Sequence, residues 1–205
     1  MPDLGNYSPT RSAYLELLDE RGLVREGYEF LDEKRMIIAA EMLRQLDTYK
    51  QLTARYRQLD NEAMSSLALA AGRHGLEDLS VYPASRIEQW DQPLNARRFL
   101  GVELLSPEAP QTESAPARPP VIPSIEAENC RQSFKALTEV ASLLASRLTN
   151  LRRLIAEYVR TERRARALEN VLLPEIESGI RLMEGQLEAV DQEEALRVRF
   201  ASPGK

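Results

Sequence analysis

The chain is poor in the residues on which compact enzymes and secreted domains usually depend. Its 205 residues include one cysteine, one histidine, one tryptophan and 9 glycines, and aromatic residues make up 6% of the sequence. A single cysteine, Cys130, forms no internal disulfide and has no evident base partner. A single histidine, His74, lacks the convergent neighbours that a metal site needs. The sequence therefore predicts no catalytic residues, no metal site and no cofactor.

Several other classes of protein lack support in the sequence. No Gly-rich phosphate loop ending in Gly-Lys-Ser/Thr is present, which argues against nucleotide binding by that route. The 27 basic and 32 acidic residues give a net charge of -5, whereas general affinity for nucleic acids needs an unbalanced basic surface. Neither a signal peptide nor a membrane-spanning run is evident. We expect a cytoplasmic protein.

Long amphipathic helices are what the sequence does contain. Apolar residues recur at alternating steps of three and four in two segments near opposite ends of the chain, and this spacing marks the contact stripe of a coiled coil. The first stripe comprises Tyr28, Leu31, Arg35, Ile38, Met42, Gln45, Tyr49, Leu52, Tyr56, Leu59 and Ala63. The second comprises Leu137, Ala141, Leu144, Leu148, Leu151, Ile155 and Tyr158. The predicted fold is all-α, a long antiparallel two-helix coiled coil with a small β-hairpin inserted between the helices.

Start and stop signals divide the chain into three predicted segments. The first long helix spans 8–71, capped by Ser8 with Pro9 at its first position and ended by Gly72. Residues 72–124 form a hairpin, built from the runs Leu79–Ile87 and Phe99–Leu105, followed by a Pro-rich link without an element of its own. The second long helix spans 125–199, with Ser124 as its cap.

The second helix contains one irregular stretch. From Leu168 to Ile180 the apolar residues recur only at steps of four, which marks a slip in the phase of the stripe. Pro174 lies in the same stretch and cannot donate a hydrogen bond to the carbonyl of Asn170. We therefore expect a kink here that shapes the helix rather than stabilising it.

Polar and basic residues on these helices leave alternatives open. Arg35, Gln45 and Glu162 occupy stripe positions, where they either fix the register of the helices or mark a partly solvated stripe. Arginines are frequent around Tyr158 and could form a solvated face paired with acids, a surface for an acidic protein partner, or an arm that contacts RNA. They are Arg147, Arg152, Arg153, Arg160, Arg163, Arg164 and Arg166.

Three motifs, in order along the chain, resemble one family. The run Ser8-Pro9-Thr10-Arg11, followed by Gly27-Tyr28, Leu31 and Lys34-Arg35, is similar to the start of the D subunit of V-type and archaeal-type ATPases. Phe99-Leu100-Gly101-Val102 resembles the segment after the hairpin in that family. The run from Arg163 to Pro174 resembles the family's second signature, with Arg166 where an asparagine is usual.

The resemblance implies a central-stalk rotor subunit. Such a subunit lies inside a hexamer of catalytic and regulatory subunits, pairs with the small F subunit of the central stalk, and docks on a funnel-like subunit above the membrane ring. It couples ATP hydrolysis or synthesis to transport of H⁺ or Na⁺ and carries no catalytic residues, so it is peripheral to the membrane within the complex. The resemblance supplies the candidates for partner contact or rotor shape: Arg11, Lys34, Arg35, Arg163, Arg164, Arg166, Glu169 and Pro174. A stand-alone coiled-coil adaptor or chaperone-like hairpin is the alternative, and an RNA-binding helical arm is a third possibility.

Overall fold

Long helices with a small β insertion between them make up the chain. The computed structural model describes residues 10–83, 85–87, 95–106, 112–116 and 119–201. In chain order the elements are α1 (Arg11–Ser80), β1 (Ser85–Ile87), β2 (Ala96–Phe99), β3 (Val102–Leu105), β4 (Thr112–Pro116), α2 (Ile125–Ala167), a π-helical turn (Leu168–Leu172) and α3 (Leu173–Ala201). The predicted fold class, a helical hairpin with a small β insertion, is confirmed.

The two ends of α1 differ from the sequence prediction. Thr10 caps the helix, since its hydroxyl accepts a hydrogen bond from the Ala13 amide at 3.2 Å. The predicted cap, Ser8, and Pro9 lie outside the described residues. The helix continues beyond Gly72 to Ser80 and is broken at Gly75, whose φ of 76° suits glycine. The predicted end was therefore wrong, because Gly72 keeps helical geometry while Gly75 provides the break.

The start of α2 follows the prediction. It begins at Ile125, and the Ser124 hydroxyl accepts a hydrogen bond from the Ala127 amide at 3.1 Å. Glu126 and Glu128 lie in its first turn, where their negative charges interact favourably with the positive end of the helix dipole. The cap at Ser124 and these two acidic residues therefore stabilise the start of α2.

The slip in phase predicted near Leu168 is a π-helical turn. Its last hydrogen bond runs from the Leu173 amide to the Leu168 carbonyl, five residues back. A π turn contains one residue more than an α-helical turn. This explains why the apolar residues of the stripe recur at steps of four from Leu168 to Ile180. Pro174 is the second residue after this turn, and we expect the wider turn to relieve the clash between the proline ring and the preceding turn. The associated kink stays a prediction.

The β insertion contains two separate antiparallel pairs. Strand β2 pairs with β3 through a two-residue turn at Leu100 and Gly101, both with positive φ, and β1 pairs with β4. The prediction that the run Leu79–Ile87 pairs with the run Phe99–Leu105 was wrong. The second run is not a single strand, because it contains the turn between β2 and β3. The Pro-rich link, predicted to contain no element, contributes β4.

The chain divides into two compact units. The terminal unit comprises Met1–Ile37 with Tyr158–Lys205, and the central unit comprises Ile38–Glu157. Leu17, Ile176, Ile180 and Met183 form the apolar core of the terminal unit. The central unit includes an apolar cluster of Leu59, Ala63 and Leu137. Within each unit the early helix and the returning helix run antiparallel. The division of the chain into three segments, 8–71, 72–124 and 125–199, stays a prediction, apart from the end of the first helix corrected above.

The predicted contact stripes are accurate on α1 and partly wrong on α2. Every predicted stripe residue of α1 is buried or half-buried. On α2, Leu148 and Ile155 are 37% and 47% exposed, while Asn150 and Leu154 are 1% and 0% exposed. A buried asparagine breaks the apolar pattern, and this displaced the predicted stripe. None of the helices described here is both long and apolar enough to cross a membrane.

Candidate functional site: polar contacts between helices

Arg35 and Glu162, both predicted at stripe positions, form an ion pair in the terminal unit. An Arg35 Nη atom lies 2.5 Å from a Glu162 carboxylate oxygen, and the other Nη lies 2.5 Å from Asp32. Arg166 also contacts Glu162, at 2.7 Å. The hydrogen bond from Arg35 is the main cause that lowers the pKa of Glu162. The pair joins α1 to α2 at one position along their length, which favours a role in fixing register.

Tyr28 and Glu169 form a second contact between the helices of this unit. The negative charge of Glu169 is the main cause that raises the pKa of the Tyr28 hydroxyl, so the two side chains lie near each other. Glu169 lies in the π turn and is exposed. Beside it, a Cβ added to Gly27 would lie 3.7 Å from a methyl group of Leu168, which is ordinary contact. Gly27 therefore does not serve a close approach of the two helices.

Two further contacts join the start of α1 to α3. Arg11 lies 3.2 Å from Asp191, and the Tyr14 hydroxyl donates a hydrogen bond of 2.6 Å to Glu184. This hydrogen bond is the main cause that raises the pKa of Tyr14. Both side chains of the Arg11 pair are mostly exposed, so solvent screens it strongly.

The remaining predicted candidates lie on the surface of the same unit. Arg163 and Arg164 are exposed, and no acidic group of the described residues pairs with them. Pro174 is exposed and Lys34 is half-buried. The structure thus brings Arg35 and Arg166 together at Glu162, sets Glu169 beside Tyr28, and leaves Arg163 and Arg164 available to a partner.

A buried polar network in the central unit was only partly foreseen. Glu41 accepts two hydrogen bonds from Arg44, at 2.7 and 2.8 Å, and one from Gln45 at 2.7 Å. Arg147 donates to Gln45 at 2.8 Å, and Arg97 reaches Glu41 at 3.4 Å. Gln45 was predicted as a polar residue of the contact stripe, whereas Glu41 was not among the predicted residues. The spacing of Glu41 and Gln45, one helical turn apart, was the available signal.

The charges in this network are unequal. Three guanidinium groups, those of Arg44, Arg97 and Arg147, surround the single carboxylate of Glu41. The hydrogen bond from Arg44 is the main cause that lowers the pKa of Glu41. Burial is the main cause that lowers the pKa of Arg147, and repulsion by Arg44 and Arg97 adds to it. The surroundings of Glu41 are therefore strongly cationic.

Asn150 is a structural residue that the sequence analysis missed. Its side-chain oxygen accepts a hydrogen bond from the Leu105 amide at 2.7 Å, and its nitrogen donates to the Leu105 carbonyl at 2.9 Å. Arg153, one turn further along α2, donates to the Glu103 carbonyl at 2.7 Å. Leu104, between these two strand residues, is 1% exposed. Strand β3 is thus fixed to α2 by hydrogen bonds to its backbone, and the side chain of Leu104 is buried.

The sequence as a whole matches one known family. The family of ATP synthase D subunits matches residues 13–202 of the chain. The chain belongs to this family.

Individual relatives in this family are similar over nearly the full length. The D subunit of the A-type ATP synthase of Pyrococcus furiosus is 26% identical over 207 residues, covering 97% of this chain and 94% of that protein. The D subunit of the V-type ATP synthase of Thermotoga neapolitana is 25% identical, covering 94% and 95%. That of Anaeromyxobacter dehalogenans is 28% identical, covering 93% and 92%. The resemblance inferred from short motifs is confirmed.

Two of the three motifs that carried the resemblance map onto irregular parts of the protein, whereas Gly27-Tyr28, Leu31 and Lys34-Arg35 of the first lie on α1. The run from Arg163 to Pro174 covers the last turn of α2, the π turn and the start of α3. The segment Phe99–Val102 is the turn between β2 and β3. Both motifs therefore coincide with departures from regular helix.

Across the residues that the structure describes, His, Cys, Asp and Glu side chains nowhere gather in a group of three or more suited to a metal ion. Cys130 is buried, and burial raises its pKa. His74 lies 2.5 Å from the hydroxyl of Ser124, so it contacts the residue that caps α2.

Proposed function

We propose that this D subunit is the central-stalk rotor of a V-type or archaeal-type ATP synthase. In this role it couples ATP hydrolysis or synthesis in a catalytic hexamer to H⁺ or Na⁺ transport across a membrane. One observation supports the proposal most directly: polar pairs tie α1 to the returning helices at Arg11, Tyr14 and Arg35 within the terminal unit. Helices that transmit torque must not slide past each other, and pairs at fixed positions oppose sliding.

The proposed partners follow from membership of the family. The catalytic and regulatory subunits of the hexamer surround the helices, the small F subunit pairs with them, and a funnel-like subunit on the membrane ring receives the base. The protein is then cytoplasmic and reaches the membrane only through the complex. No nucleic acid takes part.

Arg163 and Arg164 are the proposed contacts with the surrounding subunits. Both are exposed, and the described residues offer them no acidic partner. Arg164→Ala is expected to lower pumping per ATP while changing the unfolding midpoint little. Glu169→Ala is expected to act similarly, with a small cost from the lost contact to Tyr28. Arg11, Lys34, Arg35 and Arg166 are proposed to hold the shape of the rotor.

The proposed role is mechanical, with nucleotide chemistry left to the hexamer. Isothermal titration of the isolated protein with MgATP is expected to show no heat of binding. Binding at micromolar affinity would overturn the non-catalytic assignment.

A single-molecule rotation assay tests the rotor directly. A bead is attached at Ser65→Cys, an exposed position outside the proposed contacts, while buried Cys130 is shielded from the label. In a hexamer assembled from the same organism's catalytic and regulatory subunits, ATP is expected to drive rotation of the bead in one direction. A bead that stays fixed while ATP is hydrolysed, or a chain that does not join the hexamer, would favour the stand-alone adaptor instead.

A further inference from the structure

The hairpin of β2 and β3 has two edges that differ in how they are covered. The Ser106 amide donates to the Asn95 carbonyl at 2.7 Å, and the register pairs Arg97 with Leu104 and Phe99 with Val102. In an antiparallel ladder, hydrogen-bonded pairs alternate with pairs whose backbone groups point outwards. The residues with outward backbone groups are therefore Glu103 and Leu105 on β3, and Ala96 and Arg98 on β2.

The outer edge of β3 is occupied by side chains of α2. Asn150 bonds both backbone groups of Leu105, and Arg153 bonds the Glu103 carbonyl. These two side chains take the place of a neighbouring strand. They also fix β3 to α2, and β2 is held in position by its pairing with β3.

The outer edge of β2 is open. Ala96, Arg97 and Arg98 are exposed. Within the part of the chain that the structure describes, nothing hydrogen bonds to the outward backbone groups of Ala96 and Arg98. The strand has no proline, and its pairing with β3 is regular. Of the features by which natural edge strands usually avoid pairing with another chain, β2 has its short length of four residues and its arginines, but no proline and no bulge.

The charge along this edge specifies the kind of partner. Arg97 and Arg98 lie on β2 itself, and Arg44 lies beside Arg97 at Glu41. Glu41 already accepts hydrogen bonds from Arg44, Gln45 and Arg97, so positive charge is in excess around it, whereas Glu103 lies directly opposite Arg98 across the hairpin. An extended strand with carboxylates on alternate residues carries them all on one face, so it matches the outward backbone groups of β2 together with Arg98, while Arg97 and Arg44 add positive charge nearby.

We propose that β2 is a docking edge for an extended acidic segment of a partner protein, which adds to the hairpin as a third strand. The outward amides and carbonyls of Ala96 and Arg98 bond the backbone of the segment. Its carboxylates, on alternate residues, lie beside Arg98 on one face, and its other side chains lie beside Arg97 on the opposite face. Asn150 and Arg153 hold the opposite edge, so the hairpin is preorganised and little order is lost on binding.

Amide exchange in the full-length protein tests the edge itself. In the free protein, NMR is expected to show slow exchange at the Leu105 amide, which Asn150 binds, and fast exchange at the Arg98 amide. A fluorescein-labelled peptide of about eight alternating Val and Glu residues is then added as the probe. It is expected to slow exchange at Arg98 and leave Leu105 unchanged. A protected Arg98 amide in the free protein would mean that the chain covers this edge itself, and would overturn the proposal.

Two variants of one residue separate the backbone contribution from the charge. Arg98→Gln keeps the outward amide and removes the charge, whereas Arg98→Pro removes both and is tolerated on an open edge. Fluorescence anisotropy is expected to show affinity reduced about threefold for Arg98→Gln and about tenfold or more for Arg98→Pro. Slow exchange at Leu105 in both variants confirms that the hairpin remains folded.

Two further comparisons complete the test. Raising the salt from about 50 mM to about 300 mM is expected to weaken binding strongly, because arginines at the surface attract the carboxylates. A peptide of alternating Val and Lys is expected not to bind. Equal affinity of Arg98→Gln and Arg98→Pro, or tighter binding of a single-stranded oligonucleotide than of the acidic peptide, would contradict strand addition. These measurements use the isolated protein, so their outcome is independent of the proposed rotary function.

Discussion

The terminal unit and the central unit hold their helices together by different means. In the terminal unit an apolar core of Leu17, Ile176, Ile180 and Met183 is accompanied by ion pairs that are half-buried or exposed. In the central unit, polar groups such as Gln45 and Asn150 are themselves buried. When a substitution removes one partner of a buried hydrogen bond, the other partner stays buried without a hydrogen bond. When the pair is exposed, the remaining partner hydrogen bonds to water instead. The central unit should therefore be far more sensitive to polar substitutions.

The largest effect is expected at Asn150. Asn150→Leu keeps the approximate volume but leaves the amide and carbonyl of Leu105 without partners. The free energy of unfolding is expected to fall by about 3 kcal/mol, measured by urea denaturation. Thr149→Val is the control, since the Thr149 hydroxyl bonds only to its own helix at Ala145. A loss as small as that of the control would mean that the hairpin contributes little to the central unit.

A second, pH-dependent effect is expected at Glu41. At neutral pH, Glu41→Gln leaves Arg44, Arg97 and Arg147 without a carboxylate and is expected to cost about 2 kcal/mol. The pKa of Glu41 lies below its ordinary value of 4.5, so its ionised form contributes stability above that pH. This contribution is lost as the pH falls through the lowered pKa.

The test compares unfolding midpoints across the acid range. The difference between the wild-type chain and Glu41→Gln is expected to be constant from about pH 7 to about pH 5 and to shrink below. Glu62→Gln, at an exposed position of the same helix, serves as the control. A difference that stays constant to about pH 3 would show that the charge of Glu41 is not what stabilises the network.

A smaller effect, of opposite sign, is expected at Pro174 in the terminal unit. Pro174→Ala restores a backbone amide donor. Because we expect the π turn to relieve most of the steric clash of the proline ring, the free energy of unfolding is expected to rise by only about 1 kcal/mol, less than for a proline within a regular helix. The melting temperature of the free protein should rise. In the assembled complex, pumping per ATP should fall because the shape of the helix changes.

The control for this substitution is Ser178→Ala, one turn further along α3. Its hydroxyl bonds only to Glu175 of the same helix. If Pro174→Ala raised the melting temperature and left pumping unchanged, the proline would be a tolerated irregularity with no mechanical role.

The same contrast between the units explains what the sequence could predict. Apolar spacing correctly predicted the stripe on α1, and Ser124 correctly predicted the start of α2, because both signals are local. The slip near Leu168 was visible as steps of four, and the structure resolves it as a π turn. The family motifs were informative because they comprise several residues in fixed order.

The features missed from the sequence depend on partners far along the chain. Asn150 is an ordinary polar residue until Leu105 is placed beside it, 45 positions away. Strand β4 lies in a Pro-rich run and exists through pairing with β1. Gly72 and Gly75 carry the same local signal, and only the backbone shows that Gly75 interrupts the helix. Of the candidate site, the pair of Arg35 and Glu162 was visible as two polar stripe residues, but not as partners.

The smallest effect is expected at Arg11, on the surface of the terminal unit. Arg11 and Asp191 are 79% and 57% exposed, so their ion pair is expected to contribute less than about 0.5 kcal/mol. A double-mutant cycle with Arg11→Ala and Asp191→Ala measures the coupling by urea denaturation. The same cycle on Arg35 and Glu162, which are less exposed, should give a clearly larger coupling. Equal coupling energies for the two pairs would mean that exposure to solvent does not determine how much an ion pair contributes. The expected contrast between exposed and buried polar contacts would then be wrong even within the terminal unit.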